Sequence, residues 1–188
     1  MRIEKLTITA ENADQYKDVT SVGYVYVREG AMFRADALTS VSDSVVVREG
    51  ATFRADALTS AGSVYVREGA TFRADALTSV SGHVDVCEGA TFRADALTSA
   101  GSVDVCEGAT FRADALAECY GVKGRSLGFP GPWLLWAGAD GKYYAGCQRG
   151  LTYRQCLALA KKEPDGWTKE QAAAYLAAIK EHRKGVKK

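Results

Sequence analysis

The chain has 188 residues, of which 47% are hydrophobic and 25% charged, and its formal net charge at neutral pH is +1. Ordinary apolar content argues against disorder, and near-neutrality argues against both a general affinity for nucleic acid and an acidic mimicry of DNA. No apolar run reaches the roughly 18 residues of a membrane span, and the opening MRIEKLTITAENADQYKD lacks the apolar stretch of a secretory signal.

Five cysteines are an odd number, so at least one stays unpaired within a monomer, and their spacing is not that of a disulfide framework. Without an export signal the expected setting is a reducing cytoplasm with free thiols. His83 and His182 are the two histidines, which narrows the options for acid–base chemistry.

Between Thr20 and Leu116 one phrase, V-x-V-[RC]-E-G-A-x-F-R-A-D-A-L, is written in five near-identical copies. Its phenylalanines are Phe33, Phe53, Phe72, Phe92 and Phe111, so the spacing alternates between 20 and 19 residues. A unit this short cannot close a core alone and must stack on its neighbours, which predicts a solenoid. Leu6-Thr7-Ile8 aligns with Val25-Tyr26-Val27, and Val19 with Leu38, so residues 1–18 read as a worn first coil that caps the stack.

Within each copy, Val25-x-Val27 and its equivalents alternate with period two and lead into Glu-Gly, a turn signal. β-Branched residues at alternate positions predict a short strand with its valines inward. Phe33-Arg34-Ala35-Asp36-Ala37 predicts a second strand, Phe and Ala inward and Arg and Asp outward. Leu38-Thr39-Ser40-Val41 is expected to turn the corner, with Leu and Val dipping into the core. Six such coils would make a rod about 29 Å long at the spacing of paired strands.

After Leu116 the pattern stops. Residues 117–132 are rich in Gly and Pro and read as a connector or loop-rich cap. In residues 133–188, Trp133-Leu134-Leu135-Trp136 and Tyr143-Tyr144-Ala145-Gly146 flank Asp140-Gly141, a hairpin signal. Thr152 with Gln155 and Thr168 with Gln171 are T-x-x-Q capping boxes that predict helices over 152–163 and 168–184, the first stopped by Pro164-Asp165-Gly166. The expected architecture is a mainly β chain: a right-handed β-solenoid of about six coils over residues 1–116, then a small ββαα module covering its open end.

The L-T-S-V-x-x-x-V-x-V-x-E-G-A run resembles the short leucine-rich-type β-solenoid repeats of many bacterial and prophage proteins, and more distantly receptor L-domain coils. Common leucine-rich repeats carry Asn at the turn, where this chain has Glu-Gly. The segment YYAGCQRGLTYRQCLALAKK is similar to a hairpin-helix module of phage and prophage proteins. These resemblances imply an architecture and supply no catalytic residue.

Stacking converts each repeat position into a ladder. Arg34, Arg54, Arg73, Arg93 and Arg112 make one, and Asp36, Asp56, Asp75, Asp95 and Asp114 another, two residues away on the same face. Interleaved, the two offset each other's self-repulsion as a solvated lattice, with docking of a polyanion or acidic partner as the other reading.

The outward pairs of the V-x-V strand vary: Tyr26/Arg28, Val46/Arg48, Tyr65/Arg67, Asp85/Cys87 and Asp104/Cys106. Positions that drift on a faithfully copied scaffold are where specificity can arise. Tyr and Arg suit interaction hot spots, so Tyr26, Arg28, Arg48, Tyr65, Arg67, Asp85 and Asp104 are the candidate partner-binding residues. His83, Asp85, Cys87, Asp104 and Cys106 are of ligand types that zinc accepts, although duplication rather than a metal motif sets their spacing; bystander thiols or a Cys87–Cys106 disulfide are the alternatives.

A nucleophilic Cys119, Cys147 or Cys156 would need a base beside it, with His182 near the chain end as the candidate. No enzyme and no cofactor is therefore expected. The expected function is a protein-interaction module that acts through the ladder face, a phage or mobile-element inhibitor of a host factor by resemblance. Nucleic-acid binding through the Tyr/Arg face and a structural, self-associating component are the alternatives.

Overall fold

The computed structural model describes residues 3–106, 108–129, 134–145, 148–162 and 167–186. The repeats wind into a β-solenoid of about six turns in which every coil after the first contributes one strand to each of two parallel sheets. The longer strands are β1 (Ile3–Ile8), β2 (Ser21–Val27), β4 (Ser40–Val47), β6 (Ser60–Val66), β8 (Ser79–Val86) and β10 (Ser99–Val105). The shorter ones are β3 (Met32–Arg34), β5 (Thr52–Arg54), β7 (Thr71–Arg73), β9 (Thr91–Arg93) and β11 (Thr110–Arg112). In chain order the longer strands lie side by side in one sheet, and the shorter ones form a second sheet of five.

The inward residues are those the alternation predicts. Val25, Val27, Phe33, Ala35 and Leu38, with their equivalents in the next three coils, are fully buried. The phenylalanines make a continuous column: Phe53–Phe72, Phe72–Phe92 and Phe92–Phe111 have ring centroids 5.3, 5.0 and 5.1 Å apart and nearly parallel planes. Phe33 tilts by 57° against Phe53 at the N-terminal end. Offset-stacked aromatic pairs add about 0.5–1.5 kcal/mol beyond area burial, so the column ties the coils together along the axis.

Two local expectations are corrected. Asp36 and Ala37 and their equivalents form a turn instead of prolonging the second strand, with the Leu38 N–H donating to the Ala35 carbonyl at 3.1 Å. Likewise Ser40 and Val41 do not turn a corner. They open β4, and the strand bends further on, where pairing slips between Val22 and Val25 of β2 and their partners Val41 and Val45.

The same bend explains the alternating period. It runs Val22-Gly23-Tyr24-Val25 and Ala61-Gly62-Ser63-Val64 in the short coils but Val41-Ser42-Asp43-Ser44-Val45 and Val80-Ser81-Gly82-His83-Val84 in the long ones. The extra residue is absorbed as a bulge and the inward valines return to register. Backbone crowds backbone here: a Cβ on Gly23 would collide with the Glu4 carbonyl oxygen, and one on Gly62 with that of Asp43. The Glu-Gly turn has a different demand, since Gly30, Gly50, Gly69, Gly89 and Gly108 all have φ between +61° and +71°.

At the N-terminal end Leu6, Thr7 and Ile8 pair in register with Val25, Tyr26 and Val27, as the alignment predicts. A short 3-10 helix, Ala13–Tyr16, stands in the place of the second strand of that coil.

At the other end the segment read as a connector holds two strands. β12 (Glu118–Cys119) continues the parallel sheet beside β10, and β13 (Val122–Ser126) doubles back antiparallel to it. Tyr120, at φ +57°, and Gly121, at +70°, make that reversal. β14 (Trp136–Gly138), β15 (Tyr143–Ala145) and β16 (Gln148–Leu151) extend the sheet to eleven strands. The Asp140-Gly141 hairpin forms as predicted: Asp140 accepts from the Lys142 backbone N–H at 3.1 Å and from the Tyr144 hydroxyl at 2.7 Å.

This hairpin has two buried faces. Trp136 and Tyr144 join the solenoid core, while Ala137, Tyr143 and Ala145 join a second core with Cys156, Ala160, Tyr175 and Ile179. The last four belong to α1 (Tyr153–Lys161) and α2 (Lys169–Val186). Both capping boxes form, with Gln155 N–H donating to Thr152 Oγ1 at 3.4 Å and Gln171 N–H to Thr168 Oγ1 at 3.1 Å. No helix among the described residues is long and apolar enough to cross a membrane. Trp133, Gly146, Cys147 and the predicted stop at residues 164–166 lie outside the described residues.

Candidate functional site on the outward face of the large sheet

Because the coils are parallel and in register, equivalent outward residues stand in columns. Thr7, Tyr26, Val46, Tyr65, Asp85 and Asp104 are successive pairing partners in one column. Arg28, Arg48, Arg67, Cys87 and Cys106 follow directly after the strands. Their column is held by a backbone ladder in which the N–H groups of Arg48, Arg67, Cys87 and Cys106 donate to the carbonyls of Val27, Val47, Val66 and Val86 at 2.8–3.0 Å. The fold thus unites all seven sequence-predicted partner residues on one face.

Chemistry changes along that face. Near the N-terminus Tyr24 and Tyr26 stack with centroids 6.4 Å apart, and Lys5 Nζ lies 5.5 Å from the Tyr24 ring centre. Sequence reasoning missed Tyr24 because it falls in the bend, although its place two residues before Tyr26 carried the signal. Burial pushes its hydroxyl pKa up, aided by the neighbouring Tyr26.

In the middle, Arg67 lies over the Tyr65 ring with its guanidinium carbon 5.7 Å from the centroid. Arg67 Nη1 also sits 3.4 Å from Asp85 Oδ2 and 3.5 Å from Cys87 Sγ on the next coil. Arg48 is paired with Glu49 at 2.9 Å.

Nearest the C-terminus, one ligand atom each from Asp85, Cys87 and Cys106 all lie within 4.8 Å of one another. All three residues are half-buried. Burial, then Cys87 and Asp85, holds the Cys106 thiol pKa above its ordinary value. Two other sequence candidates fall outside this group. The His83 imidazole turns to Ser102, with Nδ1 and Oγ 2.6 Å apart. Asp104 is the backbone register partner of Asp85 on the next coil.

The Arg/Asp ladders occupy the small sheet and its turn. Each Arg pairs with the Asp two residues on, at 2.5–3.0 Å. Cross-coil rungs run from Arg93 to Asp75 at 3.7 Å and from Arg112 to Asp95 at 3.0 Å. Pairing within coils dominates, so each coil neutralises its own charge here.

The remaining described cysteines lie elsewhere. Cys119 is buried in the solenoid core and Cys156 in the second core, where burial pushes its thiol pKa up. His182 shares a 2.9 Å hydrogen bond with the Tyr143 hydroxyl, so it is engaged in docking α2 onto the hairpin. Compared with protein-family models, curated proteins and solved structures, the chain matches none of them.

Proposed function

We propose that the chain is a protein-interaction module that engages a partner protein through the outward face of the large sheet, centred on Tyr26, Arg28, Tyr65 and Arg67. The observation that carries this reading is variation in chemical character concentrated on one face of a copied scaffold. The inward Val, Phe, Ala and Leu positions recur from coil to coil, with only a Val/Ala exchange where the long strands begin, and the Arg/Asp ladder recurs with them, whereas the outward column reads Tyr, Val, Tyr, Asp, Asp. A parallel sheet supplies a rigid base, and Arg67 is already ordered against Tyr65, so little side-chain freedom is lost on docking. The engagement of Arg48 by Glu49 and of Arg67 by Asp85 favours a protein surface over a polyphosphate, which needs uncompensated cations. The phage-type resemblance of the C-terminal module makes a host factor the first partner to try.

The test is capture from bacterial lysate with and without nuclease, beside a Tyr26→Ala/Arg28→Ala/Tyr65→Ala/Arg67→Ala variant of matched circular dichroism. The expected result is a stoichiometric protein that survives nuclease, is lost with the variant, and protects β2, β4 and β6 from hydrogen exchange. Recovery of nucleic acid alone, or a partner retained by the variant, overturns the reading.

A further inference from the structure

The two coils that carry Asp in the outward column are also the two that carry Cys immediately after the strand. In the three other copies of the repeat those positions hold Tyr or Val, and Arg. One change replaces a bulky side chain with a hard donor, and the other replaces a cation with a soft donor. Stacking then brings three of the four new donors together.

We propose that Asp85, Cys87 and Cys106 bind one zinc-class divalent cation, with a fourth position open to solvent. Zinc holds thiolate at about 2.3 Å and carboxylate at about 2.0–2.2 Å, so adjacent donors of a tetrahedral site stand about 3.4–3.8 Å apart. The present spread, within 4.8 Å, has only to contract modestly to reach that. A S₂O donor set selects zinc or cadmium over calcium and magnesium, which take oxygen.

Arg67 completes the site electrically. Two thiolates and a carboxylate carry three negative charges, and a divalent ion with the Arg67 guanidinium beside it balances them. By holding Asp85 Oδ2 at 3.4 Å, Arg67 orients a ligand from outside the coordination sphere. Since bound thiols must lose their protons, the ion displaces about two protons and affinity rises with pH. The site stands independently of whether the same face docks a protein. Its rival is a Cys87–Cys106 disulfide, since neighbouring strands separate Cα atoms by about 4.8 Å, within disulfide range.

The test uses the full chain, reduced and stripped with chelator, then titrated with Zn²⁺ by calorimetry and with Co²⁺ by absorption. Expected are one equivalent of Zn²⁺, thiolate-to-Co²⁺ charge-transfer absorption, and a melting temperature that rises with Zn²⁺. Cys87→Ser and Cys106→Ser should each lose the charge-transfer intensity of one thiolate and weaken binding at least tenfold. Asp85→Asn should weaken it while keeping both thiolate signals, and Cys156→Ser, in the second core, should leave the Zn²⁺ stoichiometry unchanged. Circular dichroism establishes that each variant is folded. Three outcomes overturn the proposal: no uptake, uptake undiminished in the Cys87→Ser/Cys106→Ser variant, or a native Cys87–Cys106 disulfide whose reduced form takes up no metal.

Discussion

Glycine serves opposite ends at different positions in this chain. In the bend, Gly62 is pressed so closely against the Asp43 carbonyl that a methyl group has no room. Gly185, near the end of α2, has nothing within 4 Å of where a Cβ would be, and its helical backbone suits any residue. Replacing a helical Gly by Ala gains about 0.5–1 kcal/mol, less here because the last turn frays. Gly62→Ala must push two coils apart in the middle of the stack. Urea denaturation should therefore find Gly62→Ala destabilised by about 1–3 kcal/mol, as for other overpacked interiors, and Gly185→Ala unchanged or slightly more stable. Equal behaviour of the two would show that the bends do not limit coil approach. The same close contact accounts for what could not be read beforehand: a glycine between Ala and Ser is equally a sign of a loop, and only the neighbouring coil reveals why it is needed.

Strands were legible wherever their two faces differ. Val25-x-Val27 and Phe33-x-Ala35 announce themselves by period, and both helices by their capping boxes. Thr39-Ser40-Val41 misled because polar residues beside a hydrophobic one resemble a corner, while here their backbone groups pair with neighbouring coils. β12 and β13 were hidden in a Gly-containing segment, since their partners, the edge of β10 for β12 and β14 for β13, are supplied by the fold. On the candidate face, the columns followed from repeat offsets, but the reach of Arg67 to Asp85 and the turn of His83 to Ser102 depend on side-chain rotamers that no repeat encodes.

The small sheet makes its own prediction at this scale. Hydrogen bonds from Arg54 and Arg73 hold the carboxyls of Asp56 and Asp75 below their ordinary value of 3.8. A depressed carboxyl stabilises the fold above its unfolded value, and that contribution disappears as pH falls through the folded one. Thermal melts across the acid range should show wild type losing stability below about pH 4 more steeply than Asp56→Asn/Asp75→Asn. Exposure of these pairs to solvent keeps the difference small, and added salt should narrow it further. Parallel curves would mean that the ladder is electrostatically idle.

At the scale of the molecule, a rod of parallel coils has two ends that differ in finish. β1 carries Glu4 and Lys5 exposed on the N-terminal edge, a charged border that discourages pairing with another chain. The C-terminal end is closed by structure: β12 covers the edge of β10, Trp136 and Tyr144 seal the core, and the Phe129 ring abuts Phe111 edge-on at 5.6 Å. A chain cut after Leu116 would uncover β10 and the last core layer together. Sedimentation should then show association that grows with concentration, where the full chain stays at one size. A truncated chain that remained monomeric would deny the C-terminal module its covering role.

The Phe53–Phe72–Phe92 column has a consequence for assembly in time. Each of these rings meets another phenylalanine above and below, so the core alone gives a coil little means of distinguishing its rightful neighbour from that neighbour's twin. Connectivity alone keeps count. During folding the core lets the coils dock an even number of turns out of step, which keeps short bends against long ones, or accept a coil from a second molecule, with little local penalty until an end is reached. The worn first coil and the doubling back at Tyr120 are the two places where a miscounted stack fails to fit, and proofreading of the solenoid falls to them.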